Sequence, residues 1–357
     1  MRNGSLARLQ RRPEAWLLAV IIVAGALLSA AAPGFLTLAN LVDLLETYSV
    51  QSIMAMGLFV VLVSGGIDIS FAATASVAQY VAVILATQAG MPGIVAIGAG
   101  LLIGIVLGCL NAALIHFVRI TSIIATIAMM SVTFSLLMYF SGGRSLYNLP
   151  DWWTDRIVFW QTENADGDLT RITLPIVMMF AAALLTWLFM TRTKIGRQLY
   201  AMGGNPEAAR RVGVNIGLLH FVAYGFLGFM AAVGGLLQAH RVGESVPNAM
   251  YNTELSVLSA AVLGGASLTG GIGTVPGVLL GIVLLAMLQN GLNLLGVSSY
   301  FFQIVIGLTI LISTSITVMS ARQRRRHRNP SQPPGSADTS REASKTPLAP
   351  RQETARG

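Results

Sequence analysis

From Ala15 to Met319 this chain is a succession of apolar runs with almost no charge inside them. A hydrocarbon layer about 30 Å thick takes roughly 20 apolar residues in a helix, and run after run meets that length. Runs so long and so free of charge do not suit a soluble core. The composition agrees: 54% of residues are hydrophobic and 11% charged, against roughly 25% charged in soluble domains. Inside a bilayer the backbone must satisfy its own hydrogen bonds, which leaves helices as the spanning element for runs of this kind. The expected fold is all-α, a polytopic transmembrane helical bundle of about ten spans. They fall at 15–32, 47–64, 70–88, 94–116, 121–141, 172–191, 218–237, 255–266, 276–296 and 300–319. The eighth is short and is expected to extend or tilt.

Charge placement sets the orientation. Much of the net +8 lies in three places: Arg2, Arg8, Arg11 and Arg12; the segment 192–217; and Arg322, Arg324, Arg325, Arg326 and Arg328. Basic residues mark cytoplasmic segments of membrane proteins, and this placement argues against nucleic acid as a partner. Ten crossings from a cytoplasmic arm (residues 1–14) put 142–171 outside, 192–217 inside and the tail (321–357) inside. Arg192, Lys194, Arg197, Arg210 and Arg211 fall on the predicted inner side. The permease body is then 15–320. The basic flank of the first run has the look of a signal peptide, but APGFLTLANLV leads straight into further membrane sequence, so an uncleaved span is expected. The tail, rich in Pro, Ser and charge, reads as disordered.

Several kinds of chemistry are missing. The only lysines, Lys194 and Lys345, lie outside any phosphate-binding glycine loop. No metal motif or nucleophile motif occurs, and lone Cys109 in an apolar run reads as packing. No cofactor or metal is expected in this chain. Intramembrane acids and bases, which proton-coupled transporters carry, are nearly absent. Asp68, in SGGIDIS, is the exception. It reads either as a contact for a transported solute or gate, or, with Ser70, as a cap on the helix that follows. The neutral polar residues Gln51, Gln79, Asn111, Asn290 and Asn293 could line a path for a hydroxyl-rich solute or bind helices to one another. Trp152, Trp153 and Trp160 in the outer loop could rest at the membrane interface or dock an extracytoplasmic protein. Ser64-Gly-Gly-Ile-Asp68 and Thr269-Gly-Gly-Ile-Gly273 echo each other weakly.

One charged segment interrupts the apolar pattern: GGNPEAARRVGVN, residues 203–215. Asn205 suits an N-cap and Pro206 the first helical position, and Glu207 complements the positive end. Ala208 and Ala209 favour helix, Arg210 and Arg211 suit the last turn, and Gly213 suits a left-handed stop. The spacing predicts a helix of about two turns, too short to be stable without a packing partner. That partner is either its own membrane domain or another protein.

The run TKIGRQLYAMGGNPEAARRVGVN (193–215) closely resembles the cytoplasmic loop of permease subunits of ABC importers for simple sugars. SGGIDIS (64–70) and ELSVLSAAVLGGASLTGGIGTVPGVLLGIVLLAMLQNGLNLLGV (254–297) resemble two further blocks of that family. Phe71-Ala72 stands where the family has Val-Gly. The likeness covers about residues 15–320. It implies a dimer of permeases in the bacterial inner membrane, with two cytoplasmic ATPase subunits that bind ATP and Mg and an extracytoplasmic binding protein that delivers a small sugar. It further implies coupling to the ATPase through Gly196, Arg197, Gly204, Asn205, Pro206, Glu207, Ala208, Ala209 and Gly213. Other small solutes, such as nucleosides or branched-chain amino acids, stay open as cargo. A self-contained secondary transporter is the main rival, and a membrane enzyme is disfavoured by the missing catalytic groups.

Overall fold

The computed structural model describes residues 13–163 and 169–298, together with 301, 303, 304, 307, 308 and 311. The first twelve residues of the basic arm, much of the tenth expected span and the tail 321–357 lie outside the described residues.

Twelve helices and one hairpin are seen among them: α1 Pro13–Ala31, α2 Leu38–Val63, α3 Phe71–Thr87, α4 Gly93–Ala113, α5 Ser122–Ser141, α6 Asp151–Thr154, β1 Val158–Glu163, β2 Leu169–Thr173, α7 Leu174–Arg192, α8 Lys194–Gly204, α9 Pro206–Arg211, α10 Ile216–Val242, α11 Thr253–Leu263 and α12 Val275–Leu294. Seven are long and apolar enough to cross a membrane, and α3 and α11 are shorter apolar helices. These nine match the first nine expected spans.

Contacts between distant residues define the two ends of the bundle. At one end Thr274 Oγ1 donates to Glu14 Oε1 at 2.6 Å and the Gly271 N–H donates to Val63 O at 2.9 Å. At the other, Asn40 pairs with Asn290, and Leu146 and Ser245 exchange backbone hydrogen bonds. α1 and α12 therefore start at the end where α2 finishes, and α2 starts where α12 finishes, as expected of a multi-pass membrane protein.

α2 is the axis of the core. Every apolar side chain from Ile53 to Val63 is fully buried, because α7, α10, α11 and α12 surround it. A helix apolar all round belongs in such a place. α4 and α10 approach through small residues. Gly104 meets Gly228 and Ala232, while Gly108 meets the backbone of Tyr224. Lipid tails leave helices little hydrophobic reason to associate, so close backbone contact between small residues provides the attraction. α1 packs on α12 through Leu17, Ile21 and Leu284.

The structure departs from the sequence expectation in four ways. α2 begins at Leu38 rather than near 47, with Asn40, Asp43 and Glu46 inside its first turns. Thr37 caps it by accepting from the Asn40 N–H at 3.3 Å, and its polar start lies at the end of the bundle. α11 does not extend into a full crossing: its eleven residues reach about 16 Å at 1.5 Å each, and the segments on either side of it, 243–252 and 264–274, are not helical. The loop 142–171 is not all irregular: β1 and β2 pair antiparallel, with Trp160 opposite Ile172 and Thr162 opposite Thr170. Their Val, Phe, Trp, Thr and Ile content favours strand. Finally, α8 is a helix of its own between α7 and α9.

Candidate functional site

α8 and α9 form a platform at the bundle end that holds Glu14 and Val63. Thr193 starts α8, its Oγ1 accepting from the Gly196 N–H at 3.0 Å. Asn205 ends α8 and caps α9, its Oδ1 accepting from the Ala208 N–H at 3.0 Å. Pro206 stands at the first position of α9 and Arg210 and Arg211 close it. Gly213, at φ +82°, lets the chain turn back. A residue with a Cβ would be strained there.

The platform has two faces. Arg197, Gly204, Asn205, Pro206, Glu207, Ala208, Arg210, Arg211, Val212 and Gly213 are exposed. Gly196 and Ala209 are buried, so they join the platform to its own membrane domain and cannot touch a partner. Ala208 and Ala209, both implied in coupling by the resemblance, are divided between the two faces, because neighbouring helical positions point about 100° apart.

Beneath the platform lies a junction of bare backbone. The two similar loops, 64–68 and 269–273, are far apart in sequence yet touch. The Gly271 N–H donates to Val63 O, and Tyr200 Oη donates to Gly273 O at 2.9 Å. Gly203 is wedged between them: a Cβ there would come within 1.9 Å of Val63 O and 2.6 Å of Gly271 N. Gly270 in turn abuts Gly65 and Gly203. Sequence reasoning quoted all these glycines without seeing that they meet. Their common Gly-Gly-Ile pattern was the available signal.

On the far side of the first loop, Asp68 is buried and fully engaged. Its Oδ1 accepts from the Ser70 N–H and from Ser70 Oγ, both at 2.7 Å, and its Oδ2 accepts from Asn111 Nδ2 at 3.0 Å. Asn111 Nδ2 also donates to Ser70 Oγ at 2.7 Å. Neither Asp68 nor Ser70 makes a side-chain cap to the first turn of α3, so the expected capping role is corrected. Asp68 instead folds the chain just before the helix and ties it to α4 through Asn111. Ser122 and Thr126 of α5 complete the arrangement. Ser122 Oγ accepts from the Ile67 N–H at 3.1 Å and Thr126 Oγ1 from the Ile69 N–H at 3.4 Å. Side chains thus satisfy the backbone that the helix break frees.

The other polar residues are scattered. Gln79 is buried, its Nε2 donating to Val246 O at 3.3 Å. Gln51 is half-buried and Asn293 exposed. Asn290 and Asn40 exchange two hydrogen bonds of 2.9 and 3.0 Å between α12 and α2, which is interhelical glue. Asn290→Leu should therefore insert normally and lose about 0.6–2 kcal/mol of stability, read as a small drop in thermal midpoint in detergent. An unchanged midpoint would count against the pair.

The tryptophans lie at the Asn290 end. Trp152 and Trp160 are about half-exposed, but Trp153 is 4% exposed, and its carbonyl meets His240 Nδ1. Trp153 is therefore unavailable for docking within this chain, because α10 covers it.

The chain matches the family model described as branched-chain amino acid transport system / permease component over residues 40–314. It is 33% identical over 320 residues to the ribose import permease protein of Escherichia coli K12, covering 85% of this chain and 94% of that one. It is 31% identical over 317 residues to the galactose/methyl galactoside import permease protein of the same organism, covering 85% and 93%. It is also 31% identical over 289 residues to the ribose import permease protein of Bacillus subtilis 168, covering 79% and 85%. With an alternating bundle of apolar helices and an exposed helical platform at one end, the chain belongs to this family of transport permeases.

Proposed function

We propose that the chain is the membrane-spanning subunit of an ATP-driven importer for a monosaccharide or related small sugar. The observation that carries this reading is the exposed α9 face, Asn205 to Gly213, standing directly on Gly203 and the two loops it contacts. A push on that face reaches the irregular backbone at this end of the bundle without crossing a flexible linker. Coupled shear of packed elements is a common way to drive such a transition. The sugar relatives support the cargo class. The platform end is cytoplasmic on this reading, since Arg192, Lys194, Arg197, Arg210 and Arg211 cluster there. The opposite end, with the hairpin and the exposed Trp152 and Trp160, receives an extracytoplasmic binding protein. The partner on α9 is an ATPase that holds ATP and Mg. A second permease copy or paralogue completes the assembly in a bacterial inner membrane, and the chain itself performs no bond chemistry.

Ala208→Trp tests the coupling face, because Ala208 is exposed and its replacement does not crowd the chain's own core. With partner ATPase and binding protein present, uptake and stimulated ATP hydrolysis should fall about tenfold or more, the scale of a blocked interface hot spot. Membrane insertion should be unchanged. Uptake and hydrolysis at the level of the unaltered protein would refute α9 as the contact.

A further inference from the structure

We propose that the cleft between α3, α5 and the start of α11 is a mid-membrane station for the cargo, with Glu254 as its hydroxyl-binding carboxylate. This rests on the importer reading above and adds the site and the solute chemistry. The cleft measures about 240 Å³ and is lined by Ser76, Ser131, Ser135, Phe134, Tyr251 and Glu254, with Ala72, Ala73, Met130 and Met250. That volume falls below the roughly 300–1,000 Å³ of drug-sized sites, so the solute is small.

Its depth follows from the helices that form it. Met130 to Ser135 lie in the middle of the twenty-residue α5. Glu254 opens the short α11, which starts part-way across because the segment 243–252 before it is not helical. Transporters commonly place the cargo at such interrupted helices near the midplane.

The lining chemistry is unusual for a surface facing lipid. Glu254 is 5% exposed, and among the described residues its carboxylate is hydrogen-bonded by backbone N–H groups, its own and that of Asn252, and by no side chain. An acid within a membrane segment faces the protein interior or a water-filled cavity. Ser131 and Ser135, one turn apart on α5, are exposed on the open side of the cleft. Ser76 and Ser131 donate to their own helices, at Ala72 O and Ile127 O, each 3.1 Å away. Their oxygens therefore remain acceptors, as is the Glu254 carboxylate. Phe134 and Tyr251, with ring centres 5.2 Å apart, offer apolar faces at the rim.

An acceptor-rich cleft with aromatic walls fits a neutral solute with many O–H donors and apolar C–H faces. A zwitterionic amino acid fits poorly, because its carboxylate would meet Glu254 and no lysine, arginine or histidine lines the cleft. A second hollow, about 280 Å³ beside Trp152 and Trp153, is lined mainly by apolar side chains with His240 and holds no carboxylate or serine.

The test uses the full chain with its ATPase and binding protein in proteoliposomes, and D-ribose, D-galactose and L-leucine as probes. The unaltered assembly should import at least one sugar and no leucine. Glu254→Gln should lower sugar imported per ATP hydrolysed by about tenfold, the scale of a lost hydrogen bond to a charged group. Binding-protein-stimulated hydrolysis should persist. Ser131→Phe, placed on the exposed rim where it does not disturb packing, should do the same by filling the cleft. Sugar import per ATP unchanged in both variants overturns the cleft while leaving the importer reading intact. Joint loss of import and hydrolysis in both variants makes Glu254 and Ser131 structural and also overturns it. Leucine import without sugar import overturns the sugar reading itself, and the proposed chemistry of the cleft with it.

Discussion

One methyl group at Gly203 should stop transport. In Gly203→Ala the new Cβ would stand 1.9 Å from Val63 O and 2.6 Å from Gly271 N, far inside van der Waals contact. Both obstacles are backbone, so no side chain can rotate away. The loops at 64–68 and 269–273 would have to part, and the Gly271–Val63 hydrogen bond would break with them. Overpacking of this kind costs about 1–3 kcal/mol, occasionally more. We expect a lowered thermal midpoint in detergent and import reduced to background, even where the protein still reaches the membrane. Gly204→Ala is the comparison for stability: a Cβ there meets nothing within 4 Å, and alanine favours helix. Its midpoint should match or slightly exceed that of the unaltered chain. A Gly203→Ala protein with normal midpoint and import would remove the junction from the coupling route.

The second large effect is expected at Asp68. Removing the carboxylate in Asp68→Ala strands the Ser70 N–H and withdraws an acceptor from Ser70 Oγ and Asn111 Nδ2, all in buried surroundings. Each buried group left without a partner costs about 1–3 kcal/mol. Asp68→Asn should be milder. Its Oδ1 still accepts from the Ser70 N–H, but its Nδ2 would confront Asn111 Nδ2, donor against donor. Asn111 can turn its amide over, since Oδ1 has no partner now, though it then gives up its bond to Ser70 Oγ. The expected order of thermal midpoints is unaltered chain, then Asp68→Asn, then Asp68→Ala. Import should follow the same order if the α3–α4 tie is what matters. Equal midpoints for Asp68→Ala and the unaltered chain would contradict the network.

Much of this was legible in the sequence for local reasons. The length of each apolar run specified spanning helices, since a bilayer leaves the backbone no other partner. Asn205, Pro206, Glu207 and Gly213 specified α9 from start to stop, because caps and turns act within a few residues. Where the signal was not local, the reading went astray. α2 starts nine residues early because a Thr37 cap and the core packing of Val42 and Leu44 outweigh the polarity of Asp43 and Glu46. The hairpin hid in a loop rich in charge and tryptophan. Ala208 and Ala209 were both expected at the ATPase contact, until packing left one exposed and buried the other.

By itself the sequence determined that this chain crosses a membrane many times, that a short capped helix interrupts it, and that it resembles sugar-importer permeases. These follow from hydrophobic length, capping chemistry and motif order, all properties of neighbouring residues. Only the tertiary structure decided that two Gly-Gly-Ile loops some two hundred residues apart close on Gly203, and that Asp68 is consumed by Ser70 and Asn111. It alone set Glu254 beside Ser131 and Tyr251. Those juxtapositions depend on backbones approaching to contact distance across the bundle. That approach follows from how the helices pack in three dimensions, which sequence spacing does not encode.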